Sequence, residues 1–530
     1  MTKEAETNRY DLHSRSRRIL GLDKDQALKG LFGGNALVSI IVLALITFFL
    51  FKEGAGFFGQ YRHEIELYRR SGLEYVEIMK EESSSYTELN RYLNSIKGEH
   101  ATMLKEQGLS FSEAKAELAS YEDFIYDFED LGYPLSEYVL EMNEIAIGAR
   151  DMYVESANYR EHRENLLALG RDEEAAEVEV LDVDLSLFVG MLKEGEPDFL
   201  AINDKLAAGI ERLTSDLPTI GVAKLDEKMQ RFRQLALMFV AEMEGYETRL
   251  KEWDSQAPVG MGVAFASFVF GKDWVTNSSI QDWYGILPLF TGSLLVASIA
   301  MVIAIPLGVG AAIYINQVAT PAEQNFIKPY IEFISAIPSV VIGFFGIAVF
   351  GEFVRRASGW AIFSGFDIFP ISERLTAFTA GCLLALMAIP TIFTLAEDAI
   401  NNVPKAFKEA SLAMGATRLQ TTMRIIVPTS LSGIISAILL GFGRVIGETM
   451  VVLLCAGNRI EIPDFTNGVA TFFEPVHTMT GIIAQELGEV VNGSIHYRAL
   501  FMVGMVLFLL SLLINYLAQK IVLKYQISRG

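Results

Sequence analysis

Arg444 and Glu448 stand four residues apart inside Leu431–Ala456, an apolar run that carries no other charge. That spacing puts both side chains on one face of a helix. Charge is costly in hydrocarbon, so both should face the interior of a helix bundle or a watery path. A guanidinium stays ionised there, and its planar fork donates paired hydrogen bonds to an oxyanion. Glu448 can hold that fork between substrates, or accept a hydrogen bond from a protonated oxyanion. Hydrogen phosphate carries such a proton, whereas sulfate at neutral pH does not. The plainer reading is a mutual ion pair that only fixes helix packing. Thr449, next in the run Gly443-Arg444-Val445-Ile446-Gly447-Glu448-Thr449, and Ser339 are further substrate-path candidates. Ser339 follows Pro338, where a helix broken near midplane would bare backbone donors to a substrate.

Groups of this kind need a membrane bundle to position them, and the composition supplies one. Of 530 residues, 51% are hydrophobic, which makes a membrane protein the first expectation. About 20 apolar residues cross ~30 Å of hydrocarbon as a helix. Six runs qualify: Leu31–Phe51, Ile286–Ile315, Phe333–Phe350, Leu375–Leu395, Leu431–Ala456 and Ala499–Val522. Glu332 and Pro338 interrupt the third. The fold class expected is therefore an all-α membrane protein with six transmembrane helices. Arg15, Arg17, Arg18, Lys24 and Lys29 precede the first span, while Lys520, Lys524 and Arg529 follow the last. By the positive-inside rule both termini should be cytoplasmic. The long polar leader, with no Ala-x-Ala site after the first span, argues against a cleaved signal peptide.

The net charge is −21, and the segment Lys52–Tyr284 holds the whole of that excess. Such an acidic surface disfavours a nucleic-acid partner. Cys382 and Cys455 lie in apolar spans, so no disulfide framework is expected. The six histidines are scattered without metal-ligand spacing, and no cofactor is expected. The expected division is a leader over 1–30, a first span over 31–51, an extracytoplasmic insert over 52–256 and a membrane core over 257–530.

The insert opens with steps of three and four: Tyr61, Ile65, Tyr68, Tyr75, Met79, Tyr86, Leu89, Leu93, Ile96 and Met103, skipping Gly72, Glu82 and His100. Met229, Phe232, Ala236, Phe239, Met243, Tyr246 and Leu250 repeat the pattern at its end. This is the period of a left-handed helical pair. It predicts an antiparallel coiled-coil stalk whose first helix, from Gln60 to Gln107, would reach ~70 Å. Helices are expected over Phe111–Leu131, Pro134–Leu169 and Asp198–Leu213, and a strand over Ala176–Leu185. His100 in the seam reads as a hydrogen-bonded interface residue rather than a metal ligand.

Between two spans lies Glu409-Ala410-Ser411-Leu412-Ala413-Met414-Gly415, then nine residues, then Ile425-Ile-Val-Pro428. The spacing resembles the coupling loop of ATP-binding-cassette importer permeases, Glu-Ala-Ala, three residues, Gly, nine residues, Ile-x-Leu-Pro. Ser411 and Val427 depart from it. Taken by itself the stretch reads as an amphipathic helix with a glycine stop. Glu409 near the start of a short helix would favour its dipole, and Gly415 would let the chain turn sharply. The runs Glu332-Phe-Ile-Ser-Ala-Ile-Pro338-Ser339-Val-Val-Ile-Gly343 and Gly441-Phe-Gly443-Arg444-Val-Ile-Gly447-Glu448-Thr449-Met450, with Tyr284–Pro288 and Ile305–Gly308, are similar to the PstC-type permeases of bacterial phosphate importers. The resemblance covers about Ala257–Leu523 closely; ordinary members lack an insert like 57–256. It implies the type I importer permease fold, phosphate passage linked to Arg444 and Glu448, and a coupling helix over Glu409, Ala410 and Gly415 within a cytoplasmic loop 401–428 that ends at Pro428. It also implies a PstA-type sister permease, two ATPase subunits and a periplasmic phosphate-binding protein around this lipid-embedded chain. No Gly-x-x-x-x-Gly-Lys-Ser/Thr loop is present, so the chain is not itself an ATPase by that route. Two rivals are an importer of sulfate or molybdate, and a membrane phosphate sensor acting through its outer domain.

Overall fold

The computed structural model describes residues 24–525 apart from Asn277, Ser279 and 361–369. Arg15, Arg17, Arg18 and Arg529, used above for orientation, lie outside the described residues. The chain divides into two compact units. One is Tyr61–Ala264 with Asn277–Asp282; the other is Met1–Gln60, Phe265–Thr276 and Trp283–Gly530. Residues 52–60, expected in the insert, belong to the second unit. Phe57 is wholly buried there against Phe268 and Tyr284, with ring centroids 5.3 and 5.8 Å away.

The insert unit begins in the last turns of α1 (Lys24–Arg70). The single helix expected from Gln60 to Gln107 is interrupted: α1 stops at Arg70, and α2 (Leu73–Glu106) starts after Gly72 at φ 84°. That left-handed conformation suits glycine and cannot continue a right-handed helix. α3 (Phe111–Leu131) opens with a reciprocal cap between Ser110 and Glu113. α4 (Tyr133–Ala168), α5 (Asp172–Glu177), α6 (Leu185–Glu194), α7 (Glu196–Ser215) and α8 (Ala223–Glu252) follow. The strand expected over Ala176–Leu185 is not formed. Val178–Asp184 is irregular and Leu181 is exposed, because among the described residues no neighbouring strand offers a ladder. α6 was not anticipated.

α2 and α8 pair antiparallel, as the seam required: Arg249 meets Glu81 at 2.6 Å near one end, and Lys228 meets Glu99 near the other. Tyr75, Met79, Leu93, Ile96, Phe232 and Ala236 are fully buried. The pair is not a free-standing stalk, however, since α3, α4 and α7 pack around it. Phe128 of α3 lies 5.1 Å from Tyr86 and 4.9 Å from Phe232. The seam is thus the core of a helix bundle. His100 is buried in it, its Nδ1 3.0 Å from the Tyr121 hydroxyl. Glu82, the other polar seam residue, is fully buried too.

α9 (Met261–Phe270) enters the membrane unit at Phe265, and this unit also contains a two-stranded pair of β1 (Trp274–Val275) and β2 (Trp283–Tyr284), with Trp274 opposite Tyr284. Its helices are α10 (Leu287–Gln317), α11 (Pro321–Ala336), α12 (Ser339–Phe345), α13 (Gly351–Ser358), α14 (Ala377–Asn401), α15 (Lys405–Ala413), α16 (Arg418–Thr421), α17 (Val427–Ile446), α18 (Met450–Cys455), α19 (Met479–Glu486) and α20 (Ile495–Tyr525). Among the described residues, five helical stretches are long and apolar enough to cross a membrane: Phe32–Arg70, Leu287–Gln317, Ala377–Asn401, Arg418–Ile446 and Ile495–Ile521. The sixth expected span, Phe333–Phe350, is not a straight helix. α11 and the α12–α13 stretch meet there at 91°. Pro338 has no N–H to give, and it holds Ile337 in extended backbone (φ −72°, ψ 124°).

α14 is the centre of the bundle, packing on α10, α17 and α11. Ala380, Ala385, Ile392 and Ala396 are fully buried along it. The inner side chains of α10, α14, α17 and α18 form one apolar cluster. Phe32, Leu37, Ile40 and Phe48 of α1 are exposed, as a helix facing lipid or a partner requires.

Candidate functional site

The fifth span, expected as one helix over Leu431–Ala456, breaks. α17 ends at Ile446, Gly447 turns the chain, and α18 restarts at Met450. Arg444 is therefore in the last turn of α17, and Glu448 and Thr449 occupy the break. The spacing argument that placed Arg444 and Glu448 on one helix face does not hold at Glu448, because the helix has ended before it. The mutual ion pair is likewise not formed. Arg444 Nη1 instead donates to Thr391 Oγ1 of α14 at 2.8 Å, and Arg444 makes no ion pair among the described residues. Its guanidinium is exposed on the bundle surface, while Glu448 is half-buried.

Glu448 lines two small hollows. One is lined by Leu384, Met387, Ala388, Arg444 and Val445. The other takes in Ser293, Leu384, Val452, Thr478 and Thr480. Each is about the size that one water needs, so a tetrahedral oxyanion passes only if the helices part. Thr449 faces a third, open hollow of about 620 Å³, with Thr480, Ile483 and Leu487. Ser339 begins α12, beyond the Pro338 break, and lines none of these three hollows. Its helix nevertheless packs on α18: Cys455 Sγ donates to the Gly343 carbonyl at 3.3 Å, and a methyl added at Gly343 would lie 2.6 Å from Leu454. The two broken spans therefore touch each other behind their breaks.

The stretch Glu409–Gly415 forms an elbow. α15 closes with Gly415 at φ 84°, where Ala416 N–H reaches the Ser411 carbonyl at 3.2 Å and Gly415 N–H reaches Leu412 at 3.0 Å. This is a glycine C-cap whose left-handed residue carries no Cβ penalty. Thr417 caps α16 with Gln420, and the Ser411 and Thr421 hydroxyls meet at 2.9 Å across the bend. Pro428 opens α17 directly after the wide helical turn Thr422–Ile426, within the continuous helical stretch Arg418–Ile446. Glu409 is corrected: it is the fifth residue of α15, past the first turn, so the dipole argument does not apply. Glu409 and Ala410 lie on an exposed helix of which no residue is buried. Met414 is 88% and Leu419 68% exposed beside Phe407 and Leu412.

Several contributors were missed in the sequence. Thr391 follows Pro390 in α14, with nothing local to pair it with Arg444. α19, a short helix between α18 and α20, brings Thr478 and Thr480 to Glu448; its signature is the capping residue Thr478, whose hydroxyl accepts from Gly481 N–H. Lys328 of α11 forms an ion pair with the nearly buried Glu397 of α14.

Residues 304–524 match the family described as the binding-protein-dependent transport system inner membrane component. The probable ABC transporter permease protein YqgH of Bacillus subtilis is 33% identical over 264 residues, 49% of this chain and 79% of that protein. The phosphate transport system permease protein PstC of Pasteurella multocida is 27% identical over 286 residues, 52% of this chain and 84% of its own. PstC 1 of Mycobacterium tuberculosis is 30% identical over 266 residues, 48% of this chain and 77% of its own.

Proposed function

Since this chain belongs to the PstC-type permeases of binding-protein-dependent transport systems, and is a multi-pass ABC transporter permease of the inner membrane, we propose that it carries inorganic phosphate inward. The observation that carries this reading is the Arg444 guanidinium. It sits in a membrane-spanning helix, beside a helix break, without a carboxylate partner among the described residues. An ionised group at such a place needs a counter-charge, and a passing oxyanion supplies it through two parallel N–H···O bonds. Glu448 then accepts a hydrogen bond donated by the P–OH group of hydrogen phosphate. Relatives named for phosphate transport support this anion over sulfate or molybdate. Thr449 borders the route at the open hollow, Ser339 at the head of α12 joins it only when the helices part, and no metal or cofactor enters it.

In this reading the chain is a transport subunit, and ATP hydrolysis belongs to two partner ATPases seated on the elbow at Glu409, Ala410 and Gly415. A PstA-type sister permease completes the pore, and a periplasmic phosphate-binding protein delivers the anion. Both termini and loop 401–428 are cytoplasmic, and residues 52–284 are periplasmic. Uptake of labelled phosphate by the whole complex, challenged with excess unlabelled sulfate, molybdate or phosphate, tests the substrate. Only phosphate should compete; displacement by sulfate or molybdate alone would reassign it.

The elbow yields a separate prediction. Gly415→Ala places a Cβ at φ 84°, at a cost of about 1 kcal/mol, and tilts the exposed apolar cluster. Phosphate moved per ATP hydrolysed should fall several-fold, with membrane insertion unchanged. A wild-type ratio would remove Gly415 from the coupling step.

A further inference from the structure

The geometry points to Thr480 as a positioning residue for transport: its hydroxyl holds the Glu448 segment open as a helix break. This inference rests on the reading of Glu448 as a substrate-path residue. In an unbroken helix the Glu448 carbonyl would accept the N–H four residues on, that of Val452. Here it accepts the Thr480 hydroxyl at 2.8 Å, and the helical ladder resumes only with Leu453 N–H on the Thr449 carbonyl at 3.0 Å. Thr480 is 9% exposed, so a carbonyl left there without a donor would carry a desolvation cost. The hydroxyl thus replaces a bond that would otherwise favour closing the helix through Gly447–Thr449.

The donor is itself rigidly placed. Met479 N–H donates to Ser293 Oγ of α10 at 2.9 Å, across 186 residues of sequence. The His477 carbonyl lies so close to Gly292 that no side chain could be added there. His477 Nδ1 accepts from Thr478 N–H at 2.9 Å, and its Nε2 lies 3.1 Å from Gln485 Oε1. At the neck of this segment Val476 N–H reaches the Ala456 carbonyl at 2.8 Å, and Asn458 N–H reaches Val476 at 3.1 Å. α19 is therefore bolted to α10 and to the end of α18, and its third anchor is Glu448. Ser293, Thr478, Thr480 and Glu448 enclose one water-sized hollow in an otherwise apolar core. The segment 457–494, fixed on α10, thus sets the backbone on which Glu448 stands.

The test uses phosphate uptake by the full complex. Thr480→Val keeps shape and removes the donor, whereas Thr480→Ser keeps the donor. Thr480→Val should lower the maximal rate about tenfold, the equivalent of one hydrogen bond of about 1.4 kcal/mol, and leave the half-saturating phosphate concentration unchanged. Thr480→Ser should restore the rate to within about twofold, a rescue that a packing role alone would not produce. A wild-type rate in Thr480→Val, or a serine variant as slow as the valine one, overturns the proposal. Should the valine variant fail to assemble, Ser293→Ala, which frees the α19 anchor, must reproduce the rate loss. Glu448→Gln separates the two readings. If it slows uptake while Thr480→Val does not, only the positioning proposal fails; if it transports normally, the reading of Glu448 fails first.

Discussion

Replacing Arg444 by Ala should reduce phosphate uptake about 100-fold or more while the complex still assembles. Two charge-assisted hydrogen bonds, each of about 1.5–3 kcal/mol, vanish with the guanidinium, and the anion then meets hydrocarbon without a counter-charge. Arg444→Lys should recover only part of the rate, because an ammonium keeps the charge but not the planar fork. Thr391→Val should cost much less, since it removes only the hydroxyl that orients the guanidinium at rest. Uptake measured with purified complex in vesicles distinguishes these outcomes. Undiminished uptake by the alanine variant would end the assignment of Arg444 as the anion's station. Folding is not at risk in this substitution, for Arg444 is exposed and pairs with no carboxylate among the described residues.

The second large effect is expected in the insert. Glu82 is fully buried in the α2 seam, and neither carboxylate oxygen has a hydrogen-bond partner. Asn203 of α7, its polar neighbour, is 1% exposed and is equally unmatched at both amide atoms. Burial raises the Glu82 carboxyl to about 7; Asn203 works against the rise, and the charge of Glu247 on α8 adds to it. Glu247 is itself 3.6 Å from Lys251, and α4 contributes Ser136, whose hydroxyl meets that of Ser83.

In the unfolded chain the same carboxyl titrates near 4.5. Between these values the folded insert holds a proton that the unfolded chain has released. Stability must therefore fall as pH rises from about 4.5 through about 7, and stay low above. The span corresponds to about 3 kcal/mol. Hydrogen exchange of the α2 amides in the full chain should show stronger protection at pH 5.5 than at pH 8. Glu82→Leu should abolish the difference and protect α2 at pH 8, because an apolar side chain needs no partner in that seam. Equal wild-type protection at both pH values would show that the carboxyl finds a partner at neutral pH.

Why Glu82 occupies the seam at all is a matter of period. Steps of three and four from Tyr61 onward land on Glu82 and His100 as surely as on Met79 and Leu93. A helix presents what its repeat dictates, polar or not. His100 finds Tyr121; Glu82 finds no such partner among the described residues. That contrast depends on which helix lies opposite: α3, the next helix in the chain, meets His100, whereas α7, remote in sequence, lies beside Glu82.

The amino-acid order alone determined the features that are periodic or composed locally. Five of the six apolar runs fall in helices long and apolar enough to cross a membrane, the seam became buried, and the Glu409–Gly415 spacing became a capped elbow with Gly415 at the one angle a side chain resists. It also singled out Arg444, since a charge inside an apolar run stands out without any structure. Only the folded bundle decided the rest: that the fifth span breaks before Glu448, that Arg444 rests on Thr391 rather than on Glu448, and that α19 reaches Glu448 through Thr480. Those two contacts join residues 53 and 32 positions apart, and the bond that anchors α19 on α10, Met479 to Ser293, spans 186. The period of a helix reports only which face is buried, and carries no information about which distant hydroxyl will meet a broken turn.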